Sequence, residues 1–143
     1  MKVRKLQERS IPRVFGAGML FDDKRLLFLV RKDQNGADLL EIPCLPLFSI
    51  DAISQLKIEF QRQTGIDCQV HEAIYQSAHN VGTRKRKYFV QVLAFRITAK
   101  NHSARPSIEF SSFKWLTIDE AKKQKLSRNC EWLLRAFKIQ TDI

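Results

Sequence analysis

The stretch that most limits what this chain can fold into is Asp51 to Ile66, "DAISQLKIEFQRQTGI", a helical pattern set between segments that read as strand. Ile53, Leu56 and Phe60 recur at i, i+3 and i+7, the spacing of one buried helical stripe. Ser49 or Asp51 can cap the start, and Gly65 fits the left-handed stop after Thr64. Gln55, Glu59, Arg62 and Gln63 share a different, polar face, and any chemistry of this helix belongs there.

On either side the pattern is β. "VFGAGMLF", the turn "DDK" and "RLLFLVRK" make a hairpin between Val14 and Arg31, followed by a short extended piece, Leu39 to Ile42, which Pro43 ends. After the helix come "DCQVHEAIYQSAH" and "KYFVQVLAFRIT", joined by the charged loop "NVGTRKRK", and then a strand around "FSSFKWLT". Thr117, with Glu120 three residues on, has capping-box spacing for a short helix. A terminal helix in "SRNCEWLLRAFKIQ" presents Cys130, Leu133, Leu134 and Phe137 as its apolar face. The order β-β-β-α-β-β-β-α-α predicts an α/β fold, a mixed sheet covered by helices.

At 143 residues the chain suits a single domain, residues 1–143, with a basic N-terminal segment at 1–12. Three cysteines without CxxC spacing suggest neither a disulfide framework nor a zinc site, and they favour a reducing, cytoplasmic setting. His71, His79 and His102 have no metal-ligand spacing. No apolar run approaches a membrane span. A net charge of +10 favours anionic partners such as nucleotides, RNA or acidic protein surfaces, and equally describes a solubilising surface.

Taken in order, "GAGMLFDDKRLLFLVRK", "LEIP", the helix closing in "TG", and "FSSFKWLTIDEA" resemble the Nudix (MutT-like) hydrolases over most of the chain. The resemblance implies a Nudix-type α/β/α sandwich. Its box, G-x5-E-x7-R-E-U-x-E-E-x-G-U, fits without gaps when Thr64, Gly65 and Ile66 stand at the closing x-G-U. Glu59 and Phe60 then match. Cys44 stands at the opening Gly, Ile50 at the first Glu, Ile58 at the Arg, and Arg62 and Gln63 at the last Glu pair.

As the resemblance implies, Nudix chemistry cleaves a diphosphate linked to another moiety, with Mg²⁺ or Mn²⁺ neutralising phosphates and activating water. Such hard cations need several oxygen ligands. Helix spacing lets carboxylates at i, i+3 and i+4 meet the same ions, but Glu59, Arg62 and Gln63 sum to a formal charge near zero. A fixed guanidinium there opposes a cation by up to about a few kcal/mol at an effective dielectric near 20. Arg62 also stands at i+3 from Glu59 and can pair with it. Ile50 and Ile58 in place of charged residues suggest that an ion network has become packing. Cys44, between Pro43 and Pro46, reads as a small residue in a stiff loop rather than a nucleophile.

The preferred expectation is therefore a Nudix-fold protein with weakened or lost metal-dependent hydrolysis that still binds a phosphorylated or nucleotide ligand, with RNA also compatible. Arg62, Gln63 and the loop residues Arg84, Lys85, Arg86 and Lys87 are its candidate ligand contacts, and Glu59 is the retained catalytic carboxylate. That loop reads equally as a solvated tip, and Tyr88 and Phe89 behind it suit base stacking or core. No cofactor is expected. The alternative is an active, atypical hydrolase whose Mg²⁺ or Mn²⁺ is held by Glu59 with Glu41, Glu109 or Asp51; a further alternative is a protein-interaction domain.

Overall fold

The computed structural model describes residues 14–48, 51–80 and 82–141, the last five by backbone alone. Ser49, Ile50, the 1–12 segment and the side chain of Phe137 lie outside the described residues. Among the described residues seven strands form one mixed sheet: β1 (Val14–Asp22), β2 (Arg25–Lys32), β3 (Asp38–Glu41), β4 (Cys44–Pro46), β5 (Gln69–Asn80), β6 (Phe89–Thr98) and β7 (Ser112–Leu116). The described helices are α1 (Ala52–Thr64), α2 (Ile118–Lys122) and α3 (Trp132–Thr141), with a 3-10 turn at Arg128–Cys130 before α3.

β1 organises the sheet. It runs parallel to β6 from Val14↔Gln91 to Leu20↔Ile97, while Phe21 and Asp22 pair with β2. Its other edge takes β4, with Ala17 opposite Cys44. Cys44 to Pro46 is thus a strand, where the sequence suggests a stiff loop; Gly18 N–H also donates to Pro43 O at 2.9 Å, so backbone pairing outweighs the flanking prolines. β2 is bordered by β3 and β7, both antiparallel.

Leu26 to Val30 of β2 are all essentially inaccessible, as expected for a strand covered on both faces. Successive residues alternate between two cores. Leu26, Phe28 and Val30 join Trp132, Leu133 and Ala136 of α3 on one face; Leu27 joins Leu56 and Phe60 of α1 on the other. This is the α/β/α arrangement.

Two helical stripes differ from the sequence expectation. In α1, Leu56 and Phe60 are buried but Ile53, the second residue of the helix, is 47 % exposed. In α3 the buried face is Trp132, Leu133 and Ala136, and Leu134 is 37 % exposed. Trp132 explains that rotation: its ring stacks on Tyr75 of β5 with centroids 5.6 Å apart, and so large a side chain dominates the helix's seating. Among the described residues no helix is long and apolar enough to cross a membrane.

Candidate functional site

The polar face of α1 is built from its ends inward. Asp51 accepts from Ser54 N–H at 3.2 Å and caps the start. Gly65, at φ 71°, ends it in the left-handed conformation, its N–H donating to Gln61 O at 2.8 Å. The strand of chain from 105 to 110 then crosses this end: Arg105 N–H donates to Thr64 O at 2.7 Å and Ser107 N–H to Gln63 O at 3.0 Å. Those bonds carry Glu109 to the helix.

Arg62 is the centre of what results. Its Nε donates to Glu59, one turn earlier, and its Nη2 donates to Glu109 Oε1 at 2.9 Å. Hydrogen bonds from Glu59 first, and then from Glu109, push the guanidinium pKa up. Reciprocally, Arg62 holds the Glu109 carboxyl below the usual glutamate value. Gln63 turns away from this pair. Its side chain is buried, and Nε2 donates to Cys44 O at 3.1 Å, fastening α1 to β4.

Glu41, at the end of β3, is held in the same manner by a second arginine. Arg31 Nε and Nη2 reach its two carboxylate oxygens at 3.1 and 3.2 Å, a two-pronged pair, while the same guanidinium lies over the Phe110 ring at 5.1 Å. The three carboxylates Glu41, Glu59 and Glu109 are therefore each bonded to an arginine. Asp51 is committed to its cap.

The residues present do not suit a hard divalent cation. Among the described residues no group of three or more His, Cys, Asp or Glu side chains is arranged to hold a metal ion, and a guanidinium stands where Glu59 and Glu109 converge. Ile58 is 70 % exposed, so it does not pack where the sequence suggests it does. Cys44 hydrogen-bonds the Cys130 thiol, and that bond together with burial raises its pKa, which leaves it a poor nucleophile.

The fold itself has close counterparts. The chain superposes on the E. coli ORF135 protein with TM-score 0.70 at 20 % identity, covering 88 % of each chain. It superposes on a Nudix hydrolase from Nitrosomonas europaea with TM-score 0.66 at 14 % identity, covering 91 % of this chain and 90 % of that one. The protein has the Nudix fold. A third counterpart, the Nudix domain of Shewanella oneidensis NrtR in complex with ADP ribose, matches 99 % of both chains with TM-score 0.63 at 10 % identity. By sequence, no family model and no curated protein matches the chain.

Glu59, Arg62 and Gln63 all lie on α1, and Glu109 joins Glu59 and Arg62 from the chain before β7. The loop residues Arg84 to Lys87 are not part of this cluster. They project at the β5–β6 end, exposed, on a turn that Asn80 Oδ1 holds by accepting from Gly82 N–H and Tyr88 N–H, each at 2.9 Å. Arg31 is the residue that sequence reasoning passes over. It lies in an ordinary strand pattern, and only the β2–β3 pairing, with Arg31 opposite Leu39 and Glu41 opposite Leu29, brings it diagonally within reach of Glu41.

Proposed function

We propose that this Nudix-fold protein has lost metal-dependent pyrophosphohydrolysis at its box helix and serves as a binding module for a phosphorylated, nucleotide-type ligand. The observation that carries this reading is Arg62, whose guanidinium is bonded to both Glu59 and Glu109 and stands in for the cation that carboxylates at this place would otherwise attract. The NrtR counterpart, a Nudix domain complexed with ADP ribose, supports a nucleotide-type ligand on this fold. The net charge of +10 is in keeping with an anionic one. A reducing cytoplasmic setting belongs to the same reading, in keeping with three free thiols.

The test is a panel of nucleoside diphosphate derivatives, ADP ribose among them, incubated with Mg²⁺ or Mn²⁺. No turnover is expected, whereas ligand binding should raise the melting temperature by mass action. Metal-dependent turnover that disappears in Glu59→Gln would sink the proposal and support the active alternative, with Glu59, Glu109 and Glu41 as ligands released from Arg62 and Arg31. The converse variant is Arg62→Glu, which sets three carboxylates together and should gain Mn²⁺ binding, read by electron paramagnetic resonance, that the parent does not show. Gln63 is best left unchanged in that variant, since a carboxylate at 63 would face Cys44 O without a proton to donate.

A further inference from the structure

The groove on the α3 face of the sheet is chemically different from the box helix. It encloses about 650 Å³ beside the β5–β6 end and is lined by Lys125, Arg128 and Arg135, with Phe89 and Leu134 as exposed apolar surfaces and Glu131 as the one acid of the lining. The loop Arg84 to Lys87 springs from its rim, because Asn80 and Phe89, the residues that flank that loop, both line the groove.

Of the lining cations Lys125 reaches Asp33 at 3.5 Å and Arg135 bonds His79, while Arg128 and the loop cations are left for an outside partner. Arg31, Arg62 and Arg96 each hold a glutamate. By contrast, among the described residues no acidic side chain pairs with Arg84, Lys85, Arg86, Lys87, Arg128 or Arg135. The groove is also built rather than incidental. Buried His79 bonds Arg128 O through Nε2 at 2.9 Å and Arg135 Nη2 through Nδ1 at 3.2 Å, and so ties the 3-10 turn to α3. Phe89, 57 % exposed at the start of β6, lines the same space.

We infer that this groove, with the Arg84 to Lys87 loop, binds a single-stranded nucleic acid segment, the loop and Arg128 meeting successive phosphates and Phe89 stacking a base. Cations without an acidic partner at Arg128 and on the loop, beside an exposed aromatic ring, are the combination that single strands require. The groove is separate from the box helix. Cys44, to which Gln63 is bonded, stands opposite Ala17, itself opposite Ala94 of β6, about 16 Å along the strand from Phe89 at roughly 3.3 Å per residue. The inference rests on the reading of the chain as a phosphate-ligand binder and assigns that ligand a class and a place.

Fluorescence anisotropy with a labelled oligouridine of about ten nucleotides tests it. Binding should weaken as salt rises, with a logarithmic slope of about −2 to −3 for three or four phosphate contacts. Arg128→Gln and Phe89→Ala should each weaken binding by roughly ten-fold. Arg96→Gln, the same charge change outside the groove, should not. Oligouridine binding that Phe89→Ala leaves intact and that inorganic polyphosphate displaces equally well overturns the inference, since it would be charge attraction alone. If ADP ribose binds and oligouridine does not, the inference fails while the proposed function stands; if neither binds, both fail.

Discussion

Arg62 shows how one side chain redirects a site. At the position where the resemblance has a glutamate, it adds a positive charge and also occupies the carboxylates that remain, Glu59 and Glu109. Both pairs are partly exposed, so their yield in stability is small, on the order of 0–1 kcal/mol each. Their effect on ion binding is the larger one. The Glu109 carboxyl, held low by Arg62, contributes stability that is complete above the ordinary glutamate value of 4.5 and is lost as pH falls through its lower folded value. A carboxyl-carbon NMR titration should therefore give Glu109 a midpoint below 4.5 in the parent and one that moves upward in Arg62→Ala. An unmoved midpoint would mean that the ion pair does not form in solution. The Cys44 thiol, with its pKa raised beside Cys130, should react slowly with alkylating reagents at neutral pH for the same reason that it is no nucleophile.

At the scale of elements, α1 is held at three places: its stripe, its stop and its bond to β4. Phe60 fits against β1 because Gly18 has no side chain there; a Cβ on Gly18 would lie 2.7 Å from Phe60 Cδ2. At Gly65 the constraint is conformational as well, since φ is 71° and a Cβ would come within 2.8 Å of Arg105 O. Gly65→Ala should thus destabilise the protein by about 1–3 kcal/mol in urea melts, more than the same change at open Gly36, where a Cβ meets nothing within 4 Å. Equal losses at the two glycines would refute the close approach of the 105–110 segment. That approach matters for the site, because the segment delivers Glu109 to Arg62. The short α2 is held by its own capping box, Thr117 with Glu120, as its sequence spacing implies.

For the molecule as a whole, the sheet separates two cores and two chemistries. Ile42 lies in the α3-side core and Ile97 in the α1-side core. Ile42→Val and Ile97→Val should each cost about 0.5–1.5 kcal/mol and add to within roughly 0.5 kcal/mol in the double variant. A large coupling energy would show that the two faces are not independent. The sequence by itself determined the order of the longer strands and the helices, the seating residues Leu56 and Phe60, the Gly65 stop of α1, and the pairing of Arg62 with Glu59, because each depends on neighbours within a turn or on a short periodic pattern; it left the N-cap open between Ser49 and Asp51, and the structure shows Asp51 in that place. It misjudged Ile53, Leu134 and Ile58, whose exposure depends on how far a helix is rotated against the sheet, and it missed β4, whose pairing partner lies on β1, far away in the chain. Only the tertiary structure decided that Glu109 completes the Arg62 clamp, that Arg31 answers Glu41, that Gln63 faces inward, and that Arg128, Arg135 and Phe89 share one groove. Those outcomes join residues from separate segments, and their meeting is set by sheet register and packing, which local pattern does not encode.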